Sequence, residues 1–305
     1  MILNPQETAQ ALPYVALAKA IERVACDPQV EVPPRRIMDL PNGGKFFVMP
    51  AVAPRVAITK LITFVADNPT RGLPTIQGDV VVFDPQNGQR RMILDGPTVT
   101  ARRTAAVSLL AAQRLANPAA DGPLLVVGAG VQGRSHIEAF HEGLGVQEVW
   151  VASRSASSVQ ALVAHARSLG MRARGVDDAN AVMDQCPWVV STTSAQAVSL
   201  HASPREGAFV SAVGAFTPQM VEWSAAVCQH VAQTGQLLVD TRDADHEAGD
   251  FLQAGLDVPT MPTLADALLG RAHWRQGVKP GATVMFKNCG WAGWDLAAAW
   301  CAVSA

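Results

Sequence analysis

The sequence predicts an α/β fold class: a doubly wound parallel sheet with a smaller α+β domain attached. Three observations predict it. From residue 124 onward, short apolar runs alternate with helical stretches, the rhythm of parallel strands covered by helices on both faces. From about residue 30 to 94 the runs are β-rich and split by Pro, Gly, Asn and Asp, as in an antiparallel sheet. Between them "ANPAADGP", residues 116–123, is polar and rich in breakers, the texture of a domain boundary.

The elements follow in chain order. Residues 5–26 set Leu12, Val15, Ala16 and Ile21 among helix formers and predict a helix. "KFFVMPAV", "VAITKLITF", "DVVVFDP" and "RRMILDG" are strands, and "DPQNGQ" at 84–89 is a hairpin turn. "LDGPTVTARRTAAVSLLAAQRLANP" reads as a long helix capped by Thr98 or Thr100 and stopped by Asn117-Pro118. Then come a strand in "PLLVVGAG", a helix over 132–142, a strand in "EVWVAS" and a helix over 155–169. "RARGV", "WVVSTT", "AFVSAV", "LLVDT" and "TVMFKN" supply further strands. A last helix near 290–303 packs back on the first domain, so the expected division is 1–117 with 290–305, and 118–289.

Composition narrows the function classes. With 305 residues, 49% of them apolar and 16% charged, the chain has ample material for a core. A net charge of −2 gives no reason to expect nucleic acid or an anionic membrane as partner. Five scattered cysteines with no C-x-x-C fit reduced thiols and a cytoplasmic setting. The first residues lack the basic and apolar regions of a signal peptide, and no apolar run is long enough to span a membrane. No HExxH motif or Cys/His cluster suggests a metal, and His136 reads as a packed or solvent-facing helix residue. No G-x-S-x-G suggests a serine hydrolase.

One motif carries cofactor chemistry. Gly128, Gly130 and Gly133 have G-x-G-x-x-G spacing, follow an apolar strand and open a helix, the context of a Rossmann-type dinucleotide site rather than of an ordinary glycine-rich turn. An acid at the end of the second strand would bind a ribose 2′-hydroxyl. That place reads "VASRSASS", where Ser153, Arg154, Ser155 and Ser158 offer hydroxyls and a guanidinium, which suits a 2′-phosphate. NADPH is therefore expected ahead of NADH, the alternative being that Arg154 is a solvated loop residue.

A second set of residues suggests an anion site. In an extended "RVAITKLITF", Lys60 shares a face with Val56, Ile58, Ile62 and Phe64. It is either a ligand for a small acid, an edge-strand guard or a snorkelling side chain. Arg102 and Arg103 are expected near the first turn of their helix, where each charge opposes the macrodipole by about 0.3–1 kcal/mol unless an anion binds there. Arg36 follows a proline pair that holds the chain extended.

Together, "GAGVQGRSHIEAF", "TARRTAA", "MPA" before a strand lysine, and "EAGD" at 247–250 make the chain resemble the ornithine cyclodeaminase/mu-crystallin family nearly end to end. The resemblance implies a homodimer of subunits with a Rossmann domain and a mixed domain for substrate binding and dimerisation. By motif position it implies that Arg36, Lys60 and Arg103 hold a substrate carboxylate and that Met49 lines the pocket. It likewise implies Thr75 near cofactor and substrate, with Ala129, Val131, Gln132, Ser153, Arg154, Ser155, Thr192 and Val213 along the dinucleotide.

Two departures bear on substrate. Ornithine cyclodeaminases carry an aspartate soon after the late "VG" and an acid before "MP"; here Phe216 and Phe46-Phe47 stand near those places. Burying the far cation of a diamino acid against phenylalanine is costly. "VGAFTPQM" resembles the family's ketimine reductases, which reduce Δ1-pyrroline-2-carboxylate to L-proline and Δ1-piperideine-2-carboxylate to L-pipecolate. Lys60 is then a carboxylate clamp or the proton donor to the imine. The rival expectations are ornithine cyclodeamination, an alanine dehydrogenase-like activity, or a non-catalytic NADPH-dependent binding protein.

Overall fold

The computed structural model describes every residue except 42, 118, 119, 195, 272–278, 280 and 305, with Pro69 described in its backbone alone. The chain divides into two compact units, Met1–Ala106 with Trp291–Ala305, and Val107–Gly290. The division falls inside a helix, whereas the composition shift that suggested a boundary lies just after that helix.

Unit 1 begins with α1 (Pro5–Gln10) and α2 (Tyr14–Cys26). The single helix expected over 5–26 is therefore two. Pro13 has no N–H to continue α1 and disfavours helical backbone at Leu12, so the chain breaks there and restarts. Asn4 and Glu7 close a capping box at the start of α1. Five antiparallel strands follow in sequential order: β1 (Arg36–Asp39), β2 (Lys45–Ala53), β3 (Val56–Phe64), β4 (Ile76–Phe83) and β5 (Arg90–Asp95).

Alternation along these strands buries one face. Met49, Ala51 and Ala53 of β2, Val56, Ile58 and Ile62 of β3, Val80 and Val82 of β4, and Leu94 of β5 are all buried. The C-terminal helix α9 (Ala292–Val303) lies over β2, β3 and β4 and packs against α2. Its many alanines let it sit close to the sheet. Each large apolar side chain in this layer contributes about 1.5–3 kcal/mol, enough to carry a buried ion cluster that by itself stabilises little.

The long helix α3 (Gly96–Leu115) starts earlier than expected. Asp95, rather than Thr98 or Thr100, caps it: its carboxylate accepts from the Thr98 N–H at 2.8 Å. The Thr100 hydroxyl donates instead to Gly96 O, one turn back. Arg102 and Arg103 consequently lie beyond the first turn, where the macrodipole no longer acts, and the expected conflict does not arise. Arg102 Nε donates to Leu12 O at 2.7 Å, and its guanidinium stacks 3.8 Å over the Tyr14 ring.

Unit 2 is the doubly wound sheet. Its strands are β6 (Leu124–Val127), β7 (Glu148–Ala152), β8 (Arg172–Gly175), β9 (Trp188–Ser191), β10 (Gln196–Leu200), β11 (Phe209–Ala212), β12 (Val221–Trp223), β13 (Gln236–Val239) and β14 (Val284–Lys287). Seven form a parallel sheet in the order β13-β14-β11-β9-β6-β7-β8. The small parallel pair β10-β12 stands apart and was not legible in the sequence. Helices α4 (Val131–Leu144), α5 (Ala156–Ser168), α6 (Ala225–Thr234), α7 (Gly249–Gln253) and α8 (Leu264–Leu268) connect the strands. Strands β6, β9, β11 and β14 are buried throughout, as central parallel strands must be. The strand order reverses between β6 and β9, the switch point at whose carboxyl edge ligands bind in such sheets. Among the described residues, no helix is long and apolar enough to cross a membrane.

Candidate active site

Unit 1 builds a cation cluster on its buried sheet face. Strand β3 is the middle one of five, and Lys60 is 1% exposed. It is therefore neither an edge guard nor a snorkelling side chain, since both need the ammonium in water. Register sets Met49 and Val80 directly beside it. Lys60 Nζ donates to Asp295 Oδ1 at 2.9 Å, and Arg103 Nε donates to the same oxygen at 3.3 Å. Burial lowers the Lys60 pKa; Asp295 opposes that, and Arg103 and Arg35 reinforce it, so the value falls from 10.5 to about 8. Such a lysine is mostly charged at pH 7 and is a stronger acid than a free one.

The three expected carboxylate ligands do not all meet. Arg36 is exposed and pairs across to Val48, which pairs with Leu61. That row alternates to the face opposite Met49 and Lys60. The preceding residue, Arg35, stands just ahead of β1 and is one of the charges that act on Lys60. The motif has two adjacent arginines, and a shift of one residue changes the face. Arg103 and Met49 do share the neighbourhood of Lys60.

Unit 2 forms the glycine turn at the switch point. Gly128 has φ +116°, and a Cβ there would lie 2.6 Å from Thr192 O. A Cβ on Gly133 would collide with Gly128 O, so helix and strand can approach only without one. Gly130 differs: a Cβ there would meet nothing within 4 Å. The protein needs Gly128 and Gly133 for its own packing, whereas Gly130 leaves room at the helix N-terminus for a group that is not protein. Gly130 caps α4 without a side-chain bond, and Val131 beside it is 69% exposed. These features fit a dinucleotide pyrophosphate.

The other expected cofactor positions are distributed around this turn. Ala129 is half-buried within it, and Gln132 lies in the first turn of α4, where its carbonyl accepts from His136 at 2.8 Å. The Thr192 hydroxyl donates to Gly128 O at 3.2 Å. Val213 follows β11, and its N–H donates to Ser191 O. After β7, Ser153 and Arg154 are exposed, and Arg154 donates to the Ser194 hydroxyl at 3.1 Å. Ser155 is the N-cap of α5, and the Ser158 hydroxyl, inside that helix, donates to it. Thr75 belongs to unit 1, just before β4, where its carbonyl accepts from Val65 N–H. His136 is wholly buried, between Gln132 O and the Ser108 hydroxyl; burial lowers its pKa to about 4, so the ring is neutral.

The sequence model of the ornithine cyclodeaminase/mu-crystallin family matches residues 5–304. The chain belongs to this family. Among family relatives, the Δ1-pyrroline-2-carboxylate reductase 1 of Burkholderia multivorans is 35% identical over 301 residues, 97% of this chain and 93% of its own. The Δ1-pyrroline-2-carboxylate/Δ1-piperideine-2-carboxylate reductase of Azospirillum brasilense is 36% identical over 301 residues, again 97% and 93% of the two chains. Among solved structures, that of the Thermococcus litoralis Δ1-pyrroline-2-carboxylate reductase, in complex with NADH and L-proline, superposes with a TM-score of 0.84 at 21% identity, covering 99% of this chain and 93% of that one.

Two polar clusters of this family member join residues far apart in the chain. One is Asp295, 235 residues from its partner Lys60 and the one charged residue of an otherwise apolar helix. The other is a buried network in unit 2. The Glu222 carboxylate accepts from the Ser191 hydroxyl, Thr193 N–H and Gly214 N–H at 2.7–2.9 Å. Asp250 accepts from Glu222 N–H, Trp223 N–H and Lys287 Nζ. Glu222 has a raised pKa because burial disfavours its charge. The network pins the loops that carry Thr192 and Val213. The usable signal for both clusters was a lone charge inside an apolar run, "WDLAAAW" and "VMFK".

Proposed function

We propose that this chain is an NAD(P)H-dependent reductase of cyclic imino acids, converting Δ1-pyrroline-2-carboxylate to L-proline and Δ1-piperideine-2-carboxylate to L-pipecolate. The observation that carries the reading is the content of the Lys60 face. It offers buried cations amid apolar side chains, and its one buried carboxylate, Asp295, is already engaged by both Lys60 and Arg103. A substrate with one carboxylate and an apolar ring matches this inventory. A diamino acid brings a second cation, for which no further buried carboxylate stands on this face among the described residues. The names of the relatives point the same way.

In this reading Lys60, Arg103 and Arg35 fix the substrate carboxylate, and Met49 packs against the ring. Gly128, Gly130, Gly133, Thr192 and Val213 hold the dinucleotide, and when bound its reduced nicotinamide supplies the hydride. The imine carbon accepts that hydride while its nitrogen carries a proton, so C=N–H⁺ becomes CH–NH. Lys60, with its pKa near 8, supplies that proton or holds the carboxylate beside it. NADPH is preferred to NADH, a preference supported by the guanidinium and hydroxyls after β7 and the absence of an acid among Ser153, Arg154 and Ser155.

Unit 1 is the substrate-binding and dimerising part of a homodimer, and unit 2 the dinucleotide-binding part. Exposed Ile37 and Met38 on edge strand β1 support the dimer. A reducing compartment such as the cytoplasm suits cysteines that are all free.

The tests are NAD(P)H oxidation by purified protein against cyclic imino acids and against pyruvate with ammonia, and ammonia release from ornithine with NAD. Turnover of the cyclic imino acids, faster with NADPH, is expected. Turnover of ornithine or pyruvate alone would overturn the reading.

A further inference from the structure

We infer that Asp295 is a positioning residue: its carboxylate, carried on α9, holds Lys60 charged and aligned with Arg103 as a single carboxylate-binding unit. The inference rests on the reading of unit 1 as the substrate anchor. Three observations carry it. First, Lys60 Nζ and Arg103 Nε converge on one oxygen, Oδ1, at 2.9 and 3.3 Å, so two cations from different elements are tied at one point. Second, this trio keeps one net positive charge, the complement of one substrate carboxylate. Third, Asp295 is wholly buried, and no donor among the described residues reaches its Oδ2.

A stabilising role does not account for this arrangement. Burying ions between one another is often no better than packing apolar side chains in their place. A carboxylate selected for stability would also have both oxygens satisfied. The surrounding helix is rich in alanine and would accept an apolar residue. The carboxylate is explained by what it does to its neighbours.

The groups around Lys60 make that effect specific. Strands β2 and β4 present Met49 and Val80, both apolar. Helix α3 presents Arg103, and Arg35 precedes β1. Burial and both arginines favour loss of the lysine proton, and Asp295 alone opposes them. Without it, the balance shifts toward the neutral amine and one hand of the clamp is weakened.

The chain has five lysines, few enough for each Cε signal to be resolved in protein labelled with ¹³C at that carbon. Lys60→Arg identifies the Lys60 signal by its disappearance. In the wild type, the signal is expected to titrate near pH 8. In Asp295→Asn, and in Asp295→Ser as a second neutral variant, the midpoint is expected to fall by about 1–3 pH units, the usual effect of removing a contacting opposite charge. In Asp295→Glu it is expected to stay near the wild-type value. The high-pH limb of kcat/KM for Δ1-pyrroline-2-carboxylate should move with the midpoint, as lost packing alone would not make it do. A midpoint that stays put in a neutral variant overturns the inference. A wild type that titrates as expected but turns over no cyclic imino acid would sink the proposed function and leave the Asp295 pairing standing.

Discussion

Two lysines in this molecule are buried to the same degree and have opposite fates. Lys60, on the antiparallel sheet of unit 1, is 1% exposed; Lys287, on the parallel sheet of unit 2, is 0% exposed. Each donates to one aspartate at 2.9 Å. Burial alone would depress both. Around Lys60, Arg103 and Arg35 add to that depression, and the pKa falls to about 8. Around Lys287, Asp250, Cys289 and Glu222 outweigh burial, and the pKa rises above 10.5. Ala212 O takes a further bond from Lys287 at 3.3 Å. Burial makes the local charge count decisive. Surplus cations yield a lysine ready to meet an anion and to release a proton; surplus anions yield a fixed structural charge.

Linkage gives the contrast a sign. The lowered Lys60 pKa disfavours folding below about pH 8, and that cost disappears as pH rises from there toward 10.5. The raised Lys287 pKa stabilises the fold below 10.5, and that gain is lost only as pH passes its higher native value.

The largest effect expected is on Lys287. Lys287→Met strips the cationic partner from a wholly buried Asp250 and should cost about 3–5 kcal/mol in urea unfolding. Lys60→Met leaves Asp295 paired with Arg103 and should cost far less stability. If the two variants lose equal stability, the division between structural and functional lysine breaks.

Activity should respond in the reverse order. If Lys60 holds the substrate carboxylate as proposed, Lys60→Ala removes a buried charged contact and should lower kcat/KM about a hundred- to a thousandfold. Steady-state kinetics also tests the wild type: if charged Lys60 is required, kcat/KM is level below pH 8 and falls about tenfold per pH unit above it.

A smaller effect separates two neighbours. Arg35→Ala should reduce kcat/KM about tenfold and move the basic limb to higher pH, making Lys60 more like Lys287. Arg36→Ala, on the other face of the sheet, should stay within about twofold, as exposed charges usually do. Smallest is the change in cofactor choice. Arg154→Ala should raise KM for NADPH about tenfold and leave KM for NADH unchanged, which initial rates at varied cofactor concentration would show.

Much of this molecule is local and therefore legible in sequence. The glycine spacing, the apolar strands of the parallel sheet and the β2–β5 meander are written in short-range periodicity and breaker residues. Lys60 is anomalous on the same local ground, since a charge among alternating apolar residues is visible from ten residues alone. The break between α1 and α2 is not legible in the same way, because apolar spacing continues past Pro13 even though the helical backbone cannot.

Tertiary structure decided what the charges meet. Asp295 and Lys60 lie 235 positions apart, and no periodicity couples a strand near one end of the chain to a helix at the other. Pairing register, fixed only when β1 docks on β2, put Arg36 on the face away from Lys60, and it is the charge of Arg35 that acts on Lys60. The sequence determined which residue types each element carries and which face they occupy. Packing determined their neighbours, and in a low-dielectric interior the neighbours set the charge state and hence the chemistry.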